Sequence, residues 1–525
     1  MKRIPNIKDL YLANNELSRV PKDLDQLTQV ENIDLHSNRI NSVDLDCFPP
    51  NFNGHIDLSN NLIHSLEDAR RVKRSAVVPL AWRSIDLSNN RLNSIPQHFF
   101  DSISRSVHHL DISNNLFRHL PESLGNMVHL KSLYLHNNEI ENSDCILHNL
   151  TCLEQLTIGN TSAYSISEQR RKGAKYCKTF AAPTLKLNRL RFLKKLFLHN
   201  IENFDSSIEF EGEANGKSKS KVQEQFVVKK EDNKSCQFNS SGRKRLCILR
   251  ELNIEGFQDT NNDFLVDLLS SCPNIEQLDI SNVPRLAKYL MRYESISRIY
   301  LPFLKIFKSN DNNIGEISGH IFMYLNKLSR LDLRNNNLET LPEEIQTVKQ
   351  LEHLDLSRNN LAKCPEVLWM TNLKYLDLSS NKLRIFIWQT ICTIETLDLS
   401  NNELRSFINI SKFVHLKKLI LANNLIESLP FKRIQQLTKL KHLDLSGNRI
   451  HLIEFNFAPG KKKQNISLTH LDLSCNLIQK IPKGWISNLS KCLQFFSLEG
   501  NPFIFEDNSI TGEDYMTQIV EKLAE

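Results

Sequence analysis

The stretch Leu10-Tyr11-Leu12-Ala13-Asn14-Asn15-Glu16-Leu17 decides the architecture, because the chain keeps returning to it. Its spelling recurs as Ile33…Asn38…Ile40, Ile56…Asn61…Ile63, Ile85…Asn90…Leu92, Leu110…Asn115 and Leu133…Asn138…Ile140. A second run sets the same residue at Asn312, Asn336, Asn359, Asn381, Asn402, Asn424, Asn448, Asn476 and Asn501. The Asn residues lie 23, 23, 29, 25 and 23 residues apart in the first run, and 24, 23, 22, 21, 22, 24, 28 and 25 apart in the second. A period in this range marks a solenoid, in which each unit buries its apolar face only against its neighbours.

The alternation Leu-x-Leu gives a short strand with two side chains inward and the one between them outward. The chain must then turn. An Asn at that bend reaches neighbouring backbone groups, so stacked copies predict an internal Asn ladder that satisfies buried N–H and C=O groups. Pro21, Pro96, Pro121, Pro342, Pro365, Pro430 and Pro482 follow the turns, where a fixed φ helps and no ladder donor is needed.

Between 139 and 311 the pattern degrades. Leu156-Thr157-Ile158, Leu196-Phe197-Leu198, Leu252-Asn253-Ile254 and Leu278-Asp279-Ile280 keep the strand, but the Asn position becomes Thr161, Ile201, Phe257 and Val283. The segment from Leu265 to Ile275 reads as a full helix before the next strand. Two insertions interrupt this zone, at about 163–188 and 205–245; the second is polar, charged and read as disordered. A smaller basic insertion, Arg70-Arg71-Val72-Lys73-Arg74, accounts for the spacing of 29. The expected organisation is regular repeats over 1–162, degenerate repeats over 163–311, regular repeats over 312–503, and a capping helix within 504–525.

Composition narrows the function. Of 525 residues, only 15 are Gly and 17 Pro, which excludes collagen-like and broadly disordered chains. No run of 18 apolar residues suggests a membrane helix, and the first residues lack the apolar core of a signal peptide. Eleven cysteines without a CxxC pair read as small apolar fillers in a reducing compartment. Formal charge is +6, yet residues 165–178 and 211–245 each carry +4, so the basic balance belongs to the insertions.

Catalytic motifs are wanting. Gly212-Glu213-Ala214-Asn215-Gly216-Lys217-Ser218 is one residue short of a phosphate loop and lacks the strand and helix that would aim its amides. No HExxH, GxSxG or kinase set appears, and the expectation is no enzyme, no cofactor and no metal. The sequons at Asn149, Asn160, Asn233, Asn239, Asn409, Asn465 and Asn488 are expected by chance in so Asn-rich a chain. The runs at Arg243-Lys244-Arg245 and Lys461-Lys462-Lys463 read as solvated loop charge, so no nucleic-acid partner is expected.

Asp occupies the outward strand position at 34, 57, 86, 111, 279, 332, 355, 377, 398, 444 and 472, forming an acidic file on the expected concave face. Such a file reads either as a docking surface for a basic partner or as the commonest spelling of the repeat; the spelling is the plainer account, so departures from the file say more. Tyr11, Tyr134, Phe197, Tyr300 and Ile420 replace Asp, with His136 and His199 two positions beyond the second and third. Tyr134, His136, Phe197, His199 and Tyr300 are therefore the candidate partner-binding residues, with packing against the irregular repeats as the competing account.

On these motifs the chain resembles the leucine-rich repeat superfamily over roughly residues 4–503. The resemblance implies an α/β solenoid: a curved horseshoe of about nineteen repeats with a parallel β-sheet on its concave face. The spelling Leu341-Pro342-Glu343-Glu344-Ile345 looks like the intracellular Ras-scaffold type, which implies a non-catalytic adaptor in cytoplasmic signalling, with the nucleus as a second compartment. The Cys272-Pro273-Asn274-Ile275 repeat is similar to substrate-recognition subunits of ubiquitin ligases. The strand starting at Leu10 without a polar cap leaves a third reading, the repeat portion of a larger receptor, phosphatase or kinase.

Overall fold

A computed structural model of the chain describes residues 6–49, 52–67, 81–97, 99, 103–138, 140, 146–159, 190, 192–199, 248–257, 263–292, 299–364, 371–388, 392–455, 467–482, 485 and 493–503. The insertions at 163–188 and 205–245, the basic run 70–74 and the segment 504–525 lie outside these residues. The chain divides into two compact units, Met1–Leu286 with Arg298–Leu301, and Ala287–Ser297 with Pro302–Glu525.

In the first unit each Leu-x-Leu signature becomes a parallel strand. The strands are Asp9–Tyr11, Asn32–Asp34, His55–Asp57, Ser84–Asp86, His109–Asp111, Ser132–Tyr134, Gln155–Gly159, Lys195–His199, Glu251–Asn253 and Gln277–Asp279. Each pairs in parallel with the next, so Ile33, Ile56, Ile85, Leu110, Leu133, Leu156, Leu196, Leu252 and Leu278 stack as one buried column. The second unit repeats the arrangement with Ile306–Lys308, Arg330–Asp332, His353–Asp355, Tyr375–Asp377, Thr396–Asp398, Lys418–Ile420, His442–Asp444, His470–Asp472 and Phe495–Ser497.

Two consecutive residues build each turn. The residue before the ladder Asn takes a left-handed conformation, with φ between 51° and 58° at Asn14, Asn60, Asn89, Asn114, Asn137, Asn335, Asn401, Asn423 and Cys475. Asn tolerates that region better than most residues, which explains the Asn-Asn doublets. The next Asn then points inward. Asn61 is typical: its Oδ1 accepts the Ile40 N–H at 3.0 Å, and its Nδ2 donates to Leu35 O at 3.0 Å and Leu58 O at 3.1 Å. Each such amide joins two repeats. The same bonding runs through Asn38, Asn90, Asn115, Asn138, Asn336, Asn359, Asn381, Asn402, Asn424, Asn448, Asn476 and Asn501. Asn15 bonds only within its own turn, to Leu12 O and Ala13 O, and Asn312 donates to Ser309 Oγ at 2.8 Å. In the irregular repeats, Phe257 and Val283 fill the position with buried apolar side chains instead.

The return segments are mostly 3₁₀ or irregular, so strands dominate and helices are few. Pro21, Pro121 and Pro342, with φ of −60°, −65° and −68°, lead into 3₁₀ helices Lys22–Gln26, Glu122–Asn126 and Glu343–Thr347, which bury Leu24, Leu124 and Ile345. The longest described α-helix is Asp263–Ser270; it stops short of the Ile275 that the apolar spacing suggests, ahead of Pro273, which cannot continue it. Among the described residues no helix is long and apolar enough to cross a membrane.

Candidate functional site

The Asp file is tied down locally. Asp57, Asp86 and Asp111 each accept the N–H of the residue two positions on through Oδ1, at 2.9, 2.8 and 2.8 Å, and Asp111 also takes the Ser113 hydroxyl at 2.6 Å. Asp355, Asp398 and Asp444 do the same for Ser357, Ser400 and Ser446. These carboxylates therefore finish the strand ends. They are also crowded. Burial pushes Asp86 up to about 6 from 3.8, with the charges of Asp111 and Asp57 adding to it, and burial likewise raises Asp111.

A sign follows from the raised carboxyl. The native state holds a proton on Asp86 up to about pH 6, whereas the unfolded chain releases it near 3.8, so ionisation costs stability above the higher value. Asp86→Asn is expected to stabilise the first unit by about 1–2 kcal/mol at pH 7.5, less than the full rise from 3.8 to about 6 implies because water screens the site. The gain should disappear below about pH 4. Urea unfolding at both pH values checks it, and an equal gain at each would mean burial of the charge is not the cause.

The file breaks over four consecutive strands, where Tyr134, Thr157, Phe197 and Asn253 take the Asp position in register. Here two strands lengthen to five residues, Gln155–Gly159 and Lys195–His199. Gly159 makes their full pairing possible: its φ is +98°, and a Cβ there would lie 1.9 Å from the His199 carbonyl oxygen. The Asn137 N–H donates to Gly159 O, and Gly159 is in register with His199, so His136 and His199 flank a position that carries no side chain.

Both imidazoles are held neutral. Burial lowers His136, and burial with the neighbouring His136 takes His199 down to about 4. Among the described residues neither Nδ1 has a hydrogen-bond partner; that of His199 lies 4.0 Å from Glu255 Oε2, beyond hydrogen-bond range. His199 is 8% exposed, and the half-buried Phe197 ring stacks on it with centroids 6.1 Å apart. Tyr134 is half-buried next to Asp111, and burial and that charge raise its phenol. Four of the five candidate residues thus meet on one sheet face.

Tyr300 does not join them. The strand of its repeat is Ile306–Lys308, and Lys308 pairs with Asp332 in the file position. Phe307 and Ser309 supply the inward pair, 3% and 0% exposed, although they do not spell Leu-x-Leu. Tyr300, 60% exposed, lies ahead of that strand. The apolar flanks Ile299 and Leu301 imitate the signature without forming it.

One grouping is invisible in linear spacing. Asp34, His36 and Asp57 bring ligand-type atoms within 4.8 Å of one another, as a metal site would need. The contacts within the group account for it: Asp34 Oδ1 receives His36 Nδ1 at 2.7 Å and the His36 N–H at 3.1 Å, and Asp57 receives Ser59. Cys364 and Cys392 behave as fillers, their thiols pushed by burial to about 12 and 11.

Comparison with known proteins settles the fold family. Profiles described as leucine-rich repeats match residues 83–140, 304–361, 372–394, 414–457 and 467–489. The chain is a leucine-rich repeat protein. It is 24% identical over 97% of its length to an adenylate cyclase of Schizosaccharomyces pombe, and 32% identical over 27% of its length to mouse epiphycan. It spans 30% of the first relative and 42% of the second. Among solved structures, the leucine-rich repeats of a TLR13–ssRNA complex superpose with a TM-score of 0.57 at 19% identity, covering 95% of this chain and 67% of that one. That likeness concerns the fold alone.

Proposed function

We propose that this chain is a non-catalytic protein-interaction module that takes a partner protein on the open sheet face of its first unit, around Tyr134, Phe197 and His199, in intracellular signalling. Leucine-rich repeats generally mediate protein–protein interaction. The observation that carries the more specific reading is the four-strand break in the Asp file, which sets half-buried rings on a parallel sheet with two imidazole nitrogens unpartnered among the described residues. Rings held this way lose little entropy on binding and serve well as anchors.

The test is the affinity of a protein captured by the full chain, measured for Tyr134→Ala and Phe197→Ala. Each is expected to weaken binding by about 1–2 kcal/mol with little loss of thermal stability, and Tyr300→Ala to leave binding unchanged. Retained affinity with a lowered melting temperature would make the rings packing residues.

A second reading has its own support. The cyclase aligns along nearly the whole of this chain, which covers under a third of that enzyme. The repeats would then be the recognition arm of a longer polypeptide, with the same face engaged.

A further inference from the structure

We infer that the open face of the first unit seats a basic, arginine-bearing segment of a partner protein, one guanidinium lying on the Phe197–His199 stack beside Glu255 and further cations along the Asp34–Asp111 file. This rests on the reading that the first unit binds a protein, and adds the partner's chemistry. The ten described strands of that unit's main sheet carry Asp9, Asp34, Asp57, Asp86, Asp111, Glu251 and Asp279 against one cation, Lys195, which is bound to Glu251 at 2.8 Å. The nine described main-sheet strands of the second unit offset half of their six Asp with Lys308, Arg330 and Lys418. In a chain of net charge +6, one sheet face is thus strongly acidic.

The carboxylates are placed to be used. Asp34, Asp57, Asp86 and Asp111 stand on four consecutive strands in register, about 4.8 Å apart, and the first positions of those strands, Asn32, His55, Ser84 and His109, offer no fixed cation. Burial holds His109 toward its neutral form. Asp57, Asp86 and Asp111 spend Oδ1 on the turn N–H, which leaves the second oxygen outside those bonds. Burial raises Asp86 and Asp111, and the charge of neighbouring carboxylates adds to both, a part that an incoming cation relieves.

The other end of the face selects the kind of cation. Neutral His136 and His199 do not repel a positive charge, and a neutral imidazole keeps one acceptor nitrogen. A planar guanidinium stacks on a ring while donating in its own plane, which an ammonium does less well. A polyanion finds only Lys195 here, already paired with Glu251.

The probes are fluorescein-labelled arginine, lysine and glutamate nonapeptides, with the full chain, read by fluorescence anisotropy. The arginine peptide should bind and weaken with salt, and the glutamate peptide should not bind. Asp86→Asn with Asp111→Asn, which keeps the turn acceptors, should weaken arginine binding on the order of tenfold. Phe197→Leu should cost the arginine peptide more than the lysine peptide, and Asp355→Asn with Asp377→Asn in the second unit should change nothing. Binding indifferent to the first-unit pair, or equally sensitive to the second-unit pair, overturns the inference. A captured partner that depends on Phe197 yet holds its place against saturating arginine peptide also overturns it, while leaving the face itself a binding site.

Discussion

Trp82→Ala is expected to cost the first unit about 3–5 kcal/mol, the largest loss from any single truncation considered. The indole is 1% exposed and meets three rings edge-on, Phe48 at 5.1 Å, Phe52 at 6.3 Å and Phe99 at 6.2 Å between centroids. Removing it opens a cavity among side chains that belong to different repeats and cannot all collapse inward. One term runs the other way. The Trp82 Nε1–H is buried without an acceptor among the described residues, so its loss returns about 1–3 kcal/mol of desolvation. Cavity and lost ring contacts outweigh it. Trp82→Phe isolates the two effects, since it removes the orphaned donor and keeps an aromatic ring; it should cost less than half as much. A solenoid does not unfold as one unit, so the readout is amide exchange in the strands His55–Asp57 and Ser84–Asp86. Equal protection in Trp82→Ala and the native chain would show that this cluster does not hold the early repeats together.

Asn359→Ala should cost about 1–3 kcal/mol in the second unit. The buried Asn359 Oδ1 accepts the Leu338 N–H at 3.0 Å, while Nδ2 donates to Leu333 O and Leu356 O at 3.0 Å and to Ser357 O at 3.2 Å. Alanine strands that N–H and deprives those carbonyls of a donor in a place water does not reach. Asn15→Ala, by contrast, removes two bonds from an exposed amide that reaches no neighbouring repeat, and should stay within about 0.5 kcal/mol. The pair therefore separates the bridging role from the mere presence of an amide. Similar losses at both positions, in amide exchange of the flanking strands, would contradict the bridging role.

What the sequence disclosed follows from which features are local. The Asn spacing was legible because every regular turn needs the same amide at the same place, and the left-handed residue before it is visible as the doublets at Asn60-Asn61 or Asn401-Asn402. Tyr300 misled for the matching reason: Ile299-Tyr300-Leu301 copies a local pattern, and only the register set by Asn312, five residues after Phe307, identifies the strand. The proposed face is half legible. Tyr134 and Phe197 stand out as departures from Asp, but Gly159, Glu255 and Thr157 signal nothing along the chain. They acquire a role when the parallel sheet sets residues about 40 or more positions apart side by side, as with Gly159 and His199. The Asp file is legible along the chain, but the contrast between the two units is not, because it depends on which cations the strands carry: Lys195 in the first unit's main sheet, and Lys308, Arg330 and Lys418 in the second.

Where a partner sits is decided by one comparison: its affinity for the native chain against Phe197→Ala, with Tyr300→Ala as the matched exposed aromatic. Binding by the first-unit sheet predicts a loss of about 1–2 kcal/mol for Phe197→Ala and none for Tyr300→Ala, at unchanged thermal stability. Full affinity in Phe197→Ala, or a loss confined to Tyr300→Ala, would place the partner elsewhere on the chain.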